Sequence, residues 1–393
     1  MRIAHVTATF PPYLAGTGYV ADYQTRELVR RGHEVHLFTA AIRGEPRRAT
    51  RDGVMVHRLP AVVRVGNAPV LPGLLGLLRF DVVHLHYPFL SGAELVWAAC
   101  RARGIPYVVT YHNDLIGAGA RDLVFRLYSR VFGKLVLGAA ARVLAVTLDH
   151  ASNCRAAPTL QRHGQRIVEV PNGVDADHFR PDWDASVVRA ITGFPQGARV
   201  VLFVGALDTA HHFKGLSTLL KAFARILSSD IRLLVVGAGD MLDGYRREAA
   251  ALGIGRQVCF VGRVPHAQLP AYYAASDIVV LPSSQPESFG MVLIEGMACG
   301  RPVIGSRIPG VRSLIAEGRD GLLAEAGDEA DLAAKLRALL ALSAEERRAI
   351  GLAGRRKVEE RYTWRQIGAR LEALYAELVA ERHHRGSQVM HDV

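Results

Sequence analysis

Ser283-Ser284-Gln285-Pro286-Glu287-Ser288-Phe289-Gly290-Met291-Val292-Leu293-Ile294-Glu295-Gly296-Met297-Ala298-Cys299-Gly300 is the stretch on which the reading of this chain turns. Two carboxylates, Glu287 and Glu295, bracket seven residues, and a Ser-Phe-Gly turn opens an apolar, helix-like run. The strand-like Asp277-Ile278-Val279-Val280-Leu281-Pro282 comes just before, which places the turn at the carboxyl end of a strand. Open α/β sheets bind ligands at that edge. Ser288 is positioned to cap the helix, leaving the amides of Phe289, Gly290 and Met291 to face an anion. With a helix starting near Gly290, Glu295 sits roughly 7 Å further along, at about 1.5 Å per residue. Such a site offers a carboxylate to hydroxyls at the loop, amides to a phosphate and a second carboxylate beyond. A fitting ligand is a sugar joined through phosphates to a nucleoside.

The rest of the chain is consistent with a large two-domain α/β protein. Its 393 residues exceed one ordinary domain, and half are hydrophobic, enough for two sizeable cores. Strand-like segments 2–7, 34–39, 55–58, 82–86, 107–110, 142–146 and 167–170 alternate with helical stretches 19–31, 92–103 and 122–137. Several are unbroken apolar runs, as expected of parallel strands buried on both faces. Pro171-Asn172-Gly173-Val174-Asp175 closes this half. The rhythm restarts with strand candidates 199–204, 232–236, 258–261, 278–281 and 302–305, and helices 216–228 and 332–342. A last amphipathic helix, 367–382, precedes a polar tail, 383–393, expected to fray.

Cys100, Cys154, Cys259 and Cys299 are scattered without metal-ligand spacing and read as reduced thiols. Met1 leads straight into a strand, so no secretory leader is expected, and no apolar run reaches the ~20 residues that span a bilayer. A cytoplasmic protein follows, at most peripheral to a membrane. The net charge of +11 is uneven. Residues 1–180 hold 22 Lys and Arg against 13 Asp and Glu, net +9, and the remainder 26 against 24, net +2. The first half is thus expected to meet something anionic. Within it, Arg126, Arg130 and Lys134 recur every four residues among Leu, Phe and Val of the segment 121–137. Two readings stay open: a helix lying on anionic lipid, or an ordinary helix packed on its own sheet.

Four further segments carry candidate chemistry. The loop 10–19 holds Gly16 and Gly18 before a helix, but does not complete a nicotinamide-type GxGxxG. His112 follows a strand end in Val108-Val109-Thr110-Tyr111-His112-Asn113-Asp114, with Asp114 a candidate to orient its ring. Val204-Gly205-Ala206-Leu207-Asp208-Thr209-Ala210-His211-His212-Phe213-Lys214-Gly215 carries one of only five lysines. Phe260-Val261-Gly262-Arg263-Val264 ends another strand. The acidic pair Asp175-Ala176-Asp177 lies behind Pro-Asn-Gly, outside any expected donor site, so no metal site is expected.

Glu287 and Glu295, with Phe289-Gly290 between them, resemble the Glu-x7-Glu motif of retaining GT-B glycosyltransferases, family 4 above all. The resemblance covers nearly the whole chain. It implies two Rossmann-like domains in tandem with an interdomain cleft: an acceptor domain, 1–180, a nucleotide-sugar domain, 181–365, and a C-terminal helix, 366–393, crossing back to the first domain. It implies a catalytic set of His112, Lys214 and Glu287. Donor contacts would come from Gly16, Gly18, Gly205, Lys214, Val261, Arg263, Glu287, Phe289, Gly290, Met291, Val292 and Glu295. Glu287 would hold the sugar hydroxyls, Glu295 the ribose, His112 the hexose and Lys214 the diphosphate. Where the family has a phosphate-binding Arg this chain has Ala206, and His211, His212 or Arg263 could compensate. The implied activity is retaining transfer of a hexosyl unit from a GDP- or UDP-linked sugar to a hydroxyl acceptor, without metal or cofactor and without nucleic acid. The acceptor would be a glycolipid or growing polysaccharide, with the enzyme peripheral on the inner face of the cell membrane. The alternatives are a soluble acceptor, or a sugar-nucleotide 2-epimerase of the same fold.

Overall fold

The computed structural model describes residues 1–393 apart from 13–15, 66–67, 78, 116, 118 and 392–393. Its contacts divide the chain into two compact units, Met1–Gly173 with Trp364–Val393, and Val174–Thr363. The sequence boundaries at 180 and 365 thus move to Gly173/Val174 and Thr363/Trp364.

The first unit is built on strands β1 (Arg2–Val6), β2 (Glu34–Ala40), β3 (Arg48–Arg51), β4 (Val54–Leu59), the small hairpin β5 (Val63–Val65) and β6 (Ala68–Val70), and β7 (Val82–Tyr87), β8 (Tyr107–Tyr111), β9 (Arg142–Ala145) and β10 (Ile167–Glu169). All but the hairpin join one sheet in the order β10-β9-β8-β7-β1-β2-β4-β3, parallel except where β3 meets β4. Every residue of β7 and β8 is buried, because helices cover both faces. One face packs Val83, Leu85, Val109 and Tyr111 with the helix Gly92–Arg103. The other packs Ile3, Val35, Leu37, Val82 and Val108 against Leu28 and, from the terminal helix Trp364–His391, Ile367, Leu371 and Tyr375. Arg142 ties that helix down through Glu377 and Glu381, each at 2.7 Å. The helix runs past Arg382 to His391, so the tail expected to fray is helical that far.

A polar ladder crosses this second face. Parallel register sets His5 beside His84 and His86 beside Thr110. His5 Nδ1 lies 3.0 Å from His86 Nε2, and His86 Nδ1 lies 2.9 Å from His112 Nε2. His84 touches Thr110 Oγ1 at 2.6 Å and the Tyr375 hydroxyl at 2.5 Å. All six side chains are buried.

The second unit has strands β11 (Arg199–Val204), β12 (Ile231–Val236), β13 (Val258–Gly262), β14 (Ile278–Leu281), β15 (Val303–Ser306) and β16 (Gly321–Ala324). All are parallel, in the order β13-β12-β11-β14-β15-β16. Phe203, Leu219, Phe223, Leu233, Val235, Ile304 and Leu336 fill the core beneath the helices Leu216–Ala224 and Glu329–Ala341. β3, β16 and the helix Ala344–Arg361 are additions to the elements expected from the sequence. β3 is a largely exposed edge strand rich in Arg, and that helix is mostly polar, so neither shows the apolar pattern on which the reading relied.

Burial holds the His5 and His112 imidazoles down at about 3, and burial with neighbouring rings holds His84 and His86 well below the usual value. Unfolding returns each to roughly 6.5. The unfolded chain then binds more protons below that pH, so acidification destabilises the fold by up to about 1.4 kcal/mol per pH unit and per histidine. The urea midpoint should be level between pH 7 and 8 and fall steeply from pH 6.5 to 5. A flat midpoint across the acidic window would contradict neutral burial of these rings.

Candidate active site

In the second sheet the strand order reverses between β11 and β14, and chain leaving their carboxyl ends turns to opposite sides. This is the topological switch point at which open α/β sheets bind ligands. The loop after β11 carries Gly205 and Lys214, and the loop after β14 carries Glu287. The structure brings them together: Lys214 Nζ donates to Glu287 Oε1 at 2.8 Å, with both side chains largely buried.

Backbone constraints hold this pair. Asp208 caps the 3₁₀ helix Thr209–Lys214 by accepting from the His211 amide at 2.9 Å. Gly215 ends it with φ of +77°, and a Cβ there would strike the Pro282 carbonyl at 1.9 Å. The Ser284 amide donates to Phe213 O at 2.7 Å, sewing the two loops together. Gly205 leaves room for the lysine stem, since a Cβ would meet Lys214 Cδ at 3.2 Å. At the strand end the Ser283 hydroxyl is buried and has no hydrogen-bond partner among the described residues.

The helix after this loop is Met291–Ala298, and its cap differs from expectation. Gly290, not Ser288, holds the N-cap position, with φ of +98° and no side-chain cap. Glycine takes this left-handed conformation at low cost and contributes no side chain over the helix end. The first amides of a helix have no intrahelical acceptor, so Met291 and Val292 offer theirs to a ligand. Phe289 is buried edge-on against Tyr362, which leaves only its backbone to serve a ligand.

Glu295 lies deeper. It is buried, with His266 Nε2 3.0 Å from Oε1 and the Tyr273 hydroxyl donating to Oε2 at 2.6 Å. A carboxylate has about four acceptor positions, so capacity remains for ligand hydroxyls. Sequence reasoning missed His266 and Tyr273. The only available signal was their place on the segment leading from β13 to β14, beside Arg263. Val261, next to last in β13, is half-buried, while Arg263 is exposed and has no partner among the described residues. His211 is held by Asp208 Oδ1 at 2.7 Å and His212 by the Thr209 carbonyl at 2.8 Å. Of the three candidates to replace the guanidinium at Ala206, Arg263 is the one left uncommitted.

In the first unit, His112 follows β8, and His86, not Asp114, orients its ring. Asp114 instead accepts from the Tyr111 hydroxyl and from the Arg155 amide at 2.9 Å. His112 Nδ1 has no partner among the described residues. Gly16 opens the helix Gly16–Arg30; Gly18 lies inside it, where a Cβ would meet Thr9 O at 2.5 Å. Tyr13, Leu14 and Ala15 of that loop lie outside the described residues. Asp175 turns its carboxylate onto the amides of Asp177 (3.2 Å) and His178 (3.1 Å), a backbone turn.

The segment 120–139 divides into the helices Ala120–Tyr128 and Lys134–Ala139 around a π-helical turn, Ser129–Gly133. The first has no buried residue, and its apolar side chains face outward: Leu123 is 70% exposed, Val124 61% and Leu127 63%. Arg126 pairs with Asp122 at 2.7 Å. Among the described residues no helix is long and apolar enough to cross a membrane.

Comparison with known proteins agrees with both halves of this picture. Residues 15–173 match the glycosyl transferase 4-like domain, and residues 184–357 match glycosyl transferases group 1. A D-inositol 3-phosphate glycosyltransferase of Geodermatophilus obscurus is 32% identical over 92% of this chain and 84% of its own. A phosphatidyl-myo-inositol mannosyltransferase of Mycobacterium leprae is 32% identical over 75% of this chain and 73% of its own. In fold, the chain is similar to sucrose-phosphate synthase of Thermosynechococcus elongatus (TM-score 0.81, 24% identity, 97% of this chain and 99% of that one). It also resembles an Anabaena protein solved with UDP-glucose (TM-score 0.77, 18% identity, 96% of this chain and all of that one). The chain therefore belongs to the family 4-like glycosyltransferases of GT-B fold.

Proposed function

We propose that the protein is a retaining hexosyltransferase that takes its sugar from a nucleoside diphosphate and delivers it to a hydroxyl of a phosphorylated inositol held at a membrane. The observation that carries the donor half is the Lys214–Glu287 pair at the switch point of the second sheet. A cation, uncapped helix amides and a carboxylate converge there, the complement of a diphosphate joined to a sugar. In the free protein Glu287 occupies the lysine. An arriving diphosphate takes Lys214 over and frees Glu287 for the sugar hydroxyls. As the bond to the sugar breaks, negative charge grows on the leaving phosphate, where Lys214 and the amides of Met291 and Val292 lower the barrier. Glu295, steadied by His266 and Tyr273, is assigned to the ribose, Arg263 to the second phosphate cation and His112 to the hexose. Retention rests on the Glu-x7-Glu resemblance. A uridine donor has support from the UDP-glucose complex of the Anabaena protein, which shares the fold.

For the acceptor, both relatives named above act on inositol phosphates, one free and one lipid-borne by name. The outward-facing Leu123, Val124, Leu127 and Val131 favour the lipid-borne case. A water-soluble surface keeps such a stripe bare at a cost unless something apolar covers it. Arg121, Arg130 and Lys134 on the same segment supply about 1 kcal/mol each toward anionic headgroups. We place the enzyme as a peripheral protein on an anionic membrane face.

Four outcomes are expected. Glu287→Gln should lower kcat by orders of magnitude yet leave affinity for the nucleoside diphosphate product equal or tighter, because Lys214 is released. Lys214→Ala should weaken that affinity roughly tenfold or more, the worth of a charge-assisted hydrogen bond. Calorimetric titration of UDP and GDP into each variant checks both, and parallel losses in the two would remove the pair from the donor site. Transfer should persist in excess EDTA, since lysine and helix amides already supply the positive potential; loss restored by Mg²⁺ or Mn²⁺ would overturn the metal-free reading. Finally, co-sedimentation with acidic phospholipid vesicles should be strong at low salt and disappear in Leu123→Asp/Leu127→Asp. If that double variant sediments like the unaltered protein, the stripe is a bare surface and the soluble acceptor becomes the better assignment.

A further inference from the structure

The buried ladder contains more histidine than a core requires, and its hydrogen bonds have a direction. Four imidazoles and two hydroxyls form one chain, Thr110–His84–Tyr375–His5–His86–His112, at separations of 2.6, 2.5, 3.4, 3.0 and 2.9 Å. Each ring is buried and neutral, so each has one N–H and one bare nitrogen. Fixing the proton at any one link therefore fixes every ring in the chain. Two polarities exist, and they differ in what His112 Nδ1 presents: a lone pair or an N–H.

We infer that Tyr375, on the terminal helix, sets this polarity and so selects the tautomer of His112 that faces its ligand. The phenol is the stronger donor of the two hydroxyls. It has one proton to give, and of its two ring contacts that with His84 Nδ1, at 2.5 Å, is far shorter than that with His5 Nε2, at 3.4 Å, as expected when the O–H donates to the first and accepts from the second. Tyr375 therefore donates to His84, and His84 passes its own N–H to Thr110. His5 Nε2–H points back at the Tyr375 oxygen, which leaves His5 Nδ1 to accept from His86 Nε2–H. His86 Nδ1 then accepts from His112 Nε2–H, and His112 Nδ1 is left bare. Tyr375 is a positioning residue, acting through two rings, His5 and His86, on the one that touches ligand.

The three nitrogens of His5, His84 and His86 that lie close enough to share a cation are the obvious competitor. The separations argue otherwise. His5 and His86 stand at hydrogen-bond distance with a proton between them, and the surrounding Ile3, Leu37, Val82, Val108 and Leu374 offer no counter-charge. A divalent ion there would keep its full charge in an apolar core.

The catalytic consequence rests on the assignment of His112 to the hexose. A sugar hydroxyl can donate or accept, so either tautomer binds the ground state. Positive charge develops on the sugar as its bond to phosphate breaks, and a lone pair facing it stabilises that charge while an N–H opposes it. Tyr375→Phe keeps the ring and deletes the proton. His5 Nε2–H then has no acceptor, and a buried bare acceptor is tolerated better than a buried orphan N–H. The chain reverses, and His112 Nδ1 becomes protonated.

The test is long-range ¹H–¹⁵N correlation of the imidazoles in the free, full-length protein with ¹⁵N-histidine, His112 being assigned by its loss in His112→Asn. We expect unprotonated Nδ1 in the unaltered protein and protonated Nδ1 in Tyr375→Phe. The variant should lose kcat roughly tenfold with donor KM within about twofold, the pattern of an interaction made only in the transition state. A protonated His112 Nδ1 in the unaltered protein overturns the polarity, whether or not Tyr375→Phe folds. An unchanged tautomer in a folded Tyr375→Phe overturns the control by Tyr375, whatever happens to its stability. One equivalent of zinc retained through dialysis, and lost in His84→Ala, would replace the proton chain by a metal site. If the tautomers behave as described and no sugar transfer occurs at all, the function assigned above fails and the ladder stands.

Discussion

A single reversal of strand order governs what the second unit can do. Because β11 and β14 are neighbours while their following segments diverge, the two loops between them share a floor but not a path. A cation from one loop can meet a carboxylate from the other across 73 residues of chain, as Lys214 and Glu287 do. That pair is held by features without chemistry of their own. Gly215 admits the Pro282 carbonyl, Gly205 admits the lysine stem, and Gly290 starts the helix without covering its amides.

The first unit meets the opposite demand, carrying polar groups through an apolar core. A parallel sheet covered on both faces normally repeats Val, Ile and Leu. Here β1, β7 and β8 replace three of those positions by His5, His84 and His86 and a fourth by Thr110. Burying these groups unpaired would cost several kcal/mol in all. Register makes the arrangement tolerable, because each ring on this face reaches diagonally to the residue two positions beyond its in-register neighbour, His5 to His86, His84 to Thr110 and His86 to His112. The terminal helix closes the line with Tyr375, so a segment distant in sequence is tied to the ring environment of His112.

Much of the fold was legible because its strands are buried on both faces and therefore read as continuous apolar runs. β11 and β14 fall where that pattern puts them. The misses have a common cause. β3 and the helix Ala344–Arg361 owe their form to pairing and capping rather than to an apolar face, and Ser343 and Glu346 supply a capping box that was passed over. Ser288 looked like a cap because its residue type suits one; the backbone gives the position to Gly290 because the chain must turn through a left-handed conformation there.

The sequence by itself determined the alternation of strands and helices, the two carboxylates with a glycine turn between them, and a lone lysine on the right loop. These are local, since residue type and spacing set them. Only the tertiary structure decided which groups meet. It paired Lys214 with Glu287, gave Glu295 to His266 and Tyr273, and took Asp114 away from His112. It also turned the apolar side of the helix Ala120–Tyr128 outward, a choice that helical periodicity leaves open because an apolar stripe is the same stripe whichever way it faces. The histidine ladder was visible letter by letter, as His5 and as His84-x-His86, but not as a chain. Partners across strands depend on register, and register is a property of the assembled sheet.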